Sequence, residues 1–352
     1  MKTPVIAFAG LILFASGSLA QNQPLVGMPL AAPPLMQTSG ATSLGSVPSQ
    51  EGADIANRIK LRGYVDFLYE NESRPDGDTN GFEESGIDLD FLFDFTPVTA
   101  EIHTQSRIDF LSIEQAFVNY AVNPNFGISL GRQLQLLGFE SDEATGLYQI
   151  SHAYQHADTD SDLQRGYDEG VRFNFNAGKF GLAVGLSNGL DDGLQDSGFG
   201  LDVQAAYVLM PGLEARIGYS VKEPDDSTSV GSHTEKLDRL NAWVLYQRGS
   251  FTGAVEFNDI DNQGMDGWSY MVMGNYQFTS TFGFTVRYSQ ENYSGPTGLD
   301  SYKVSLAPTL TLSDNWSLAL EYSFGELDQY MPGAAKTSDD IDTLLIESIF
   351  SF

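Results

Sequence analysis

The chain has 352 residues and a formal net charge of −29, from 18 Lys and Arg against 47 Asp and Glu. This acidity argues against a nucleic-acid-binding protein, because binding to the phosphate backbone needs a basic surface. The chain contains no cysteine, which excludes disulfides, iron–sulfur clusters and thiolate metal sites. After residue 20 no apolar run approaches the ~18 residues of a membrane-spanning helix.

The first 20 residues have the features of a secretory signal peptide. Lys2 precedes an apolar stretch at 5–14, and residues 18–20 (Ser-Leu-Ala) match the small-residue pattern of a cleavage site. Residues 21–57 are rich in Pro, Ala, Ser, Gly and Gln and show no hydrophobic period. We therefore expect a flexible periplasmic leader over 21–57. The alternative is that this segment plugs the lumen of a barrel.

From residue 58 onward, apolar and polar residues alternate with a period of two. Segments of about ten residues suit tilted transmembrane strands, and tight turns alternate with longer acidic connectors. The pattern predicts an all-β fold over 58–352: a transmembrane antiparallel β-barrel of about 16 strands, with short periplasmic turns and longer extracellular loops. A soluble β-sandwich or solenoid is the alternative. In chain order the predicted strands are 60–70, 84–95, 98–108, 112–122, 126–136, 166–176, 179–189, 199–210, 213–222, 236–247, 251–259, 268–278, 282–291, 301–312, 316–325 and 341–352.

Aromatic residues cluster near both ends of the predicted strands, as in the two aromatic girdles of membrane barrels. The last predicted strand places Phe350 and Phe352 on its apolar face. An aromatic residue at this position resembles the signal that the barrel assembly machinery reads, so we predict that these two residues act in assembly. The predicted girdles comprise Phe95, Phe180, Tyr207, Phe278, Phe282, Trp316 and Phe350 at the short turns, and Tyr69, Phe257, Tyr270, Tyr288, Tyr302 and Phe324 at the long loops.

Three stretches resemble a known family: 113–120 (Ile-Glu-Gln-Ala-Phe-Val-Asn-Tyr), 127–132 (Gly-Ile-Ser-Leu-Gly-Arg) and 137–140 (Leu-Gly-Phe-Glu). Together they are similar to the strand-turn-strand core of the OmpL-like family of bacterial outer-membrane β-barrel porins. Tyr148, Ser151 and Tyr154 also fit that pattern. The resemblance is specific over about 110–175 and only architectural elsewhere. It implies a porin-like channel, and it implies no particular solute.

If the apolar face meets lipid, the other face lines the lumen. The longest connector, 137–165, is the best candidate for a constriction loop, although it could instead form an exposed lid. Arg132 shares the alternation of apolar Ile128 and Leu130, so it reaches the lumen only through a bulge. The predicted constriction residues are Glu140, Asp142, Glu143, Asp158, Asp160 and Asp162; the predicted wall bases are Arg107, Arg132, Arg172, Arg216 and Arg287; the predicted wall acids are Asp88, Asp90, Asp94, Glu101 and Asp202.

These patterns predict an outer-membrane porin of a Gram-negative bacterium: a passive channel for small hydrophilic solutes or ions, with a weak cation preference. A non-conducting barrel with a structural, adhesive or scaffolding role is the alternative. We expect no enzyme, because adjacent Ser151 and His152 would point apart in a strand, and we expect neither a cofactor nor a metal. The expected partners are outer-membrane lipid, the barrel assembly machinery and small polar solutes or ions, not nucleic acid. The sequence leaves open whether the protein is a homotrimer.

Overall fold

The computed structural model describes residues 58–352, apart from 74–77, 84, 108–109, 155–165, 189–197, 224–235, 263–264, 295–297 and 331–335. The predicted signal peptide and the predicted leader therefore lie outside the described residues. In the part of the chain that the structure describes, no helix is long and apolar enough to span a membrane.

The described residues form seventeen β-strands and one short 3-10 helix, η1 (Ala144–Gly146). The strands are β1 (Ile59–Ser73), β2 (Thr79–Phe82), β3 (Gly86–Phe95), β4 (Val98–Arg107), β5 (Phe110–Asn123), β6 (Phe126–Leu134), β7 (Tyr167–Ala177), β8 (Phe180–Asn188), β9 (Phe199–Met210), β10 (Leu213–Lys222), β11 (Leu237–Arg248), β12 (Phe251–Asn262), β13 (Met265–Gln277), β14 (Phe282–Ser294), β15 (Gly298–Ser313), β16 (Trp316–Tyr330) and β17 (Thr337–Ser351).

All strands belong to one antiparallel sheet that closes on itself. β1 pairs with β3 on one side and with β17 on the other. The seam is completed by Gly63 and Phe352, which exchange two backbone hydrogen bonds of 3.0 Å. β2 also pairs with β1 and continues the line of β3, so β2 and β3 form one interrupted strand of the wall. The wall thus has 16 strands, which confirms the predicted transmembrane barrel fold.

The two faces of the wall differ as the alternation predicts. On β14, Val286 is 43% exposed, whereas its neighbours Thr285 and Arg287 are each 1% exposed. On β16, Tyr322 is 41% exposed beside Glu321 at 0%. Apolar side chains therefore face outward, where a lipid bilayer would cover them, and polar side chains face the barrel interior.

The predicted short-turn girdle lies on the outer face, and every one of its aromatic residues is exposed. At the long-loop end, Tyr270, Tyr288 and Tyr302 form a row, with ring centroids 5.8 and 6.5 Å apart. Phenolic rings suit this position because they combine an apolar body with a polar tip. The aromatic residues thus mark two bands around the barrel.

The short turns are tight hairpins. Gly178 and Gly249 each have φ +61°, the left-handed conformation that a two-residue hairpin turn needs and that glycine adopts without strain.

At the long-loop end of the barrel the strands run further than the alternation predicts. β1 continues to Ser73 and β16 to Tyr330, beyond the predicted ends at 70 and 325. The wall therefore extends past the long-loop girdle, with polar residues on its outer face.

Candidate functional site

Between β6 and β7 the chain leaves the wall and folds into the barrel. We call residues 135–154 the inner loop; they are the described part of the connector that the sequence predicts as a constriction loop. Although this segment only connects two strands, its Leu137 and Phe139 are 2% and 1% exposed. Connecting segments normally run over the surface. Such complete burial places the inner loop within the lumen, enclosed by the wall.

Apolar side chains on the inner face of β11, β12 and β13 hold one side of the inner loop. The ring of Phe139 meets Trp243 edge-on, with centroids 5.6 Å apart. Ala254, Met271 and Met273 belong to the same buried cluster. Burial of a phenylalanine side chain contributes about 1.5–3 kcal/mol. This part of the barrel interior is therefore packed like the core of a soluble protein.

A buried ion pair fixes the middle of the inner loop. Arg287 Nη1 lies 2.6 Å from Glu140 Oε1. The same guanidinium donates to the carbonyl oxygens of Ser151 at 2.7 Å and His152 at 2.8 Å. Lys303 Nζ adds a third donor to the loop, 2.5 Å from the carbonyl oxygen of His152. The two basic side chains thus bind the loop through its backbone as well as through its carboxylate.

Glu321 on β16 holds the next turn of the inner loop. Its carboxylate accepts the backbone N–H groups of Ile150 at 2.8 Å and Ser151 at 2.7 Å. The hydroxyl of Ser151 donates to the other oxygen at 2.6 Å. Arg287 lies 3.7 Å away and balances the charge of this fully buried carboxylate. Buried carboxylates need such hydrogen bonds and counter-charges, because their desolvation is costly.

Glu256 on β12 is the corresponding acceptor for both ends of the inner loop. It accepts the backbone N–H of Phe139 at 2.7 Å and the side-chain amide of Asn241 at 2.8 Å. The hydroxyl of Tyr154 donates to it at 3.2 Å. Burial raises the pKa of Tyr154, so its phenol keeps at neutral pH the proton that it donates. One wall carboxylate therefore ties residue 139 to residue 154.

The inner loop also reaches the opposite wall. Glu143 Oε1 lies 3.7 Å from His103 Nδ1 on β4, and Asp142 accepts a hydrogen bond from Tyr167 on β7. In the 16-strand wall, β4 and the Glu256 strand β12 are eight strands apart in either direction. The inner loop therefore bridges the lumen between diametrically opposed parts of the wall.

The predicted constriction residues divide into two groups. Glu140, Asp142 and Glu143 lie on the inner loop inside the barrel, with the partners described above. Asp158, Asp160 and Asp162 lie outside the described residues. The role of these residues in narrowing a pore stays a prediction.

Four of the five predicted wall bases lie in the barrel interior or at its rim. Arg287 is described above. Arg216 is 7% exposed, donates to Glu214 at 2.7 Å and lies 4.7 Å above the ring of Trp243. Arg172 donates at 2.5 Å to the carbonyl oxygen of the last β6 residue, where the inner loop begins. Arg107 is exposed at the loop end of β4.

Arg132 requires a correction. Arg132 lies on the same face of β6 as Leu130, which is 56% exposed, and on the opposite face from the buried Ser129 and Gln133. Its Nη1 lies 3.9 Å from Glu169, the residue opposite on β7, whose side chain is 61% exposed. The pairing of β6 with β7 runs through this point without a register shift, so the bulge that would turn Arg132 inward is absent there. The prediction that Arg132 lines the pore is therefore wrong.

The predicted wall acids lie on the inner face of the barrel wall. Asp88, Asp90 and Asp202 are 2%, 2% and 5% exposed. Glu101 Oε2 lies 2.9 Å from the imidazole Nε2 of His103. Asp94 has the same alternation but lies at the short-turn mouth, where it accepts hydrogen bonds from Thr96. The interior acids thus run from the periplasmic mouth toward the inner loop.

Phe350 and Phe352 lie on the outer face at 49% and 46% exposed, so they do not touch the lumen. Their part in assembly stays a prediction. Lys222 and Asp168 are not among the predicted wall residues, and they form a 2.6 Å ion pair on the inner face of β10 and β7. The parity of Lys222 with Arg216 and Ser220 is the signal that could have identified it.

No protein-family model matches this sequence, and no curated protein sequence matches it. Solved structures share the fold. The outer membrane channel DcaP of Acinetobacter baumannii has a TM-score of 0.59 at 14% identity, covering 84% of this chain and 97% of that chain. OmpF of Salmonella typhi, solved with daunomycin, has a TM-score of 0.59 at 12% identity, covering 84% and 97%. OprB of Pseudomonas putida has a TM-score of 0.60 at 11% identity, covering 85% and 96%.

At these identities the likeness shows the fold and nothing finer. The chain has the fold of outer-membrane β-barrels, and this fold agrees with the predicted localisation in the outer membrane. The narrower resemblance to the OmpL-like family stays a prediction.

Proposed function

We propose that this protein is a porin, a passive diffusion channel for small hydrophilic solutes or ions with a weak cation preference. One observation carries the proposal: an internal loop is fixed by buried ionic contacts inside a closed barrel whose interior face is polar. A barrel of 16–18 strands leaves an aqueous channel unless something fills it. A loop fixed at mid-lumen would set the width and the charge of such a channel.

The arrangement of charge supports selection by electrostatics. Arg216, Arg287 and Lys303 lie on the inner face of β10, β14 and β15, whereas Asp88 and Asp90 lie on β3 across the barrel. Opposed charges create a field across the lumen that orients polar solutes as they pass.

The weak cation preference follows from the balance of these charges. On the inner loop, Glu140 is matched by Arg287, whereas Asp142 and Glu143 face a tyrosine and a histidine. The wall that Glu143 faces carries Asp88, Asp90 and Glu101, and Asp142 lies near the carboxylate of Glu114 on β5. This side of the lumen is thus predominantly acidic, and acidic walls raise the local concentration of cations.

The experiment is a planar-bilayer recording of the purified full-length protein. Stepwise conductance increases, with a reversal potential under a KCl gradient that favours K⁺, are expected. The same preparation, heat-denatured before addition, is the control for detergent artefacts. A folded, inserted barrel that produces no conductance steps would contradict the proposal.

One observation favours the alternative, a non-conducting scaffold. The inner loop contacts opposite walls, and Trp243, Met271 and Phe139 fill part of the interior with apolar atoms. If these contacts close the lumen, the barrel serves as a rigid support for its outer loops. Liposome swelling with solutes of graded size distinguishes the two functions, because a scaffold admits none of them.

One of the similar structures, DcaP, is described as an outer membrane channel, and this supports the channel function over the scaffold function. Membership of the OmpL-like family is part of this proposal, on the motifs at 113–120 and 137–140. The proposal does not include a catalytic role. Ser151 donates to Glu321 and His152 contacts the carbonyl oxygen of Ser141, so this pair serves to hold the loop. Assembly into a homotrimer stays a prediction that cross-linking would check.

A further inference from the structure

Three potential metal ligands meet where the inner loop reaches the wall. Asp90 on β3 and His103 on β4 are directly opposite in register, and Glu143 comes from the inner loop. His103 Nδ1 lies 2.7 Å from Asp90 Oδ1 and 3.7 Å from Glu143 Oε1. The three ligand atoms all lie within 4.8 Å of one another. Ligands about 2 Å from a metal lie within about 4 Å of each other, so small side-chain adjustments would bring these three atoms into one coordination sphere.

The imidazole is oriented for such a role by a carboxylate on its other side. Glu101 Oε2 lies 2.9 Å from His103 Nε2. A carboxylate that accepts the Nε2 proton leaves the Nδ1 lone pair for a cation, which is the usual carboxylate–histidine–metal arrangement. Nδ1 then faces Asp90 Oδ1, a second electron-pair donor.

An independent observation supports the binding of a cation at this position. Asp88 is 2% exposed, and neither of its carboxylate oxygens has a hydrogen-bond partner in the described part of the chain. It projects from the same face of β3 as Asp90 and interacts electrostatically with Glu143 and His103. A buried carboxylate without partners is costly, and such groups usually indicate an ion or a proton nearby.

The local charge balance favours a divalent ion. Arg62 holds the second oxygen of Asp90, with Nε 2.5 Å from Oδ2, so Asp90 offers one oxygen inward. One arginine and one imidazole face the carboxylates of Asp88, Asp90, Glu101 and Glu143. The ring of Phe117 stacks beside the imidazole at 6.4 Å and shields one side of the cluster from water. A divalent cation supplies the positive charge that this enclosed cluster lacks.

We propose that Asp90, His103 and Glu143 bind a divalent transition-metal cation of the Zn²⁺ class, with Glu101 positioning the imidazole. One imidazole nitrogen with two carboxylate oxygens suits Zn²⁺ better than Mg²⁺ or Ca²⁺, which prefer all-oxygen sites. Three protein ligands leave a position for water or a passing anion. Because Glu143 belongs to the inner loop and the other two ligands to the wall, the metal would fasten the loop to β3 and β4.

The test is isothermal titration of the full-length barrel in detergent with Zn²⁺, after the protein has been stripped with EDTA. One site per chain is expected. His103→Gln and Glu143→Gln should each weaken binding by more than about 100-fold, and Glu101→Gln, as a positioning change, by about 10–100-fold. His233→Gln is the control, because it removes a histidine that lies in the chain between β10 and β11 and not in the inner loop or the cluster. It should bind Zn²⁺ as the wild type does.

Co²⁺ gives a second readout that a purely structural role would not change. The Co²⁺-loaded wild type should show paramagnetically shifted imidazole proton signals, and these should vanish in His103→Gln. Each variant is first checked for heat-modifiable migration, which reports a folded barrel. If His103→Gln does not fold, Glu143→Gln decides, because its change lies in a connector and not in the wall.

Unchanged Zn²⁺ affinity in folded His103→Gln, or no stoichiometric binding to the wild type, would overturn the proposal. Binding is measured without conductance, so a barrel that binds Zn²⁺ but does not conduct contradicts only the proposed channel. A barrel that conducts but does not bind contradicts only the metal site.

Discussion

Arg287 of β14 and Glu140 of the inner loop form an ion pair of 2.6 Å that is almost completely enclosed, with 1% of the arginine side chain exposed. The two residues are 147 positions apart in the chain. Their contact joins a wall strand to a loop that leaves the wall half a barrel earlier. Removing one partner of a buried pair leaves an uncompensated charge, which costs about 3–5 kcal/mol.

Arg287→Gln should therefore release the inner loop while the barrel stays closed. We expect faster chymotryptic cleavage within 135–154, which contains Phe139 and Tyr148, and a larger single-channel conductance. Arg248→Gln is the control, because Arg248 is exposed at the end of β11. Equal cleavage and conductance in the two variants would show that the ion pair does not hold the loop.

Neutralising Asp142 and Glu143 of the inner loop should reduce cation preference. Asp142→Asn with Glu143→Gln is expected to move the reversal potential under a KCl gradient toward zero. EDTA is kept on both sides of the membrane, so that metal binding at Glu143 does not contribute. Asp314→Asn, in an exposed short turn, should leave the potential unchanged.

The wild-type preference should itself fade with salt, because the Debye length falls from about 30 Å at 0.01 M to about 3 Å at 1 M. A wild type that prefers chloride at low salt would contradict the dominance of the acids. Entry would then be governed by the arginine side of the wall, including Arg107 and Arg172.

Phe352→Ser should lower the amount of barrel inserted in cells and leave the conductance of the inserted fraction unchanged. The reason is its position: the side chain is 46% exposed on the outer face, away from the lumen. Phe82→Ser removes an exposed phenylalanine at the loop end of the wall and is the control. Normal insertion of Phe352→Ser, measured by heat-modifiable bands in membrane fractions, would rule out the predicted assembly role.

Deletion of residues 22–55 should leave a heat-modifiable barrel that inserts into membranes. Among the described residues, the strand register of the seam and of the neighbouring wall begins at Ile59, after the deleted segment. Refolding of the shortened chain in detergent, compared with the full chain under the same conditions, measures this. A shortened chain that cannot fold would mean that the leader is structural, as a lumen plug would be.

The strands and their faces could be predicted because the signal is local. Alternation along ten residues fixes which side chains face lipid, and Ile346 and Phe350 on β17 lie outward as their period of two predicts. The outward position of Arg132 could also be predicted, since Arg132 shares the alternation of Leu130. Where the prediction placed Arg132 inward despite its parity, the parity was the better guide.

The contacts of the inner loop could not be predicted, because its partners come from distant strands. Glu256 and Glu321 have the inward parity of any wall residue, and nothing local distinguishes them as acceptors for a loop more than 100 residues earlier. The same holds for the cluster at His103. The i and i+2 spacing of Glu101 and His103 places them on one face, but Asp90 and Glu143 join them only through sheet register and loop position.

The seam between β1 and β17 also sets the order in which this fold can be completed. β1 is synthesised first and needs the last strand as a partner, so one of its edges stays unpaired while nearly all of the remaining chain is made and exported. Exposed strand edges template aggregation, and pairings between distant segments form slowly. Until β17 pairs with β1, the open sheet keeps a free edge that can template aggregation, and closure of the seam removes that edge.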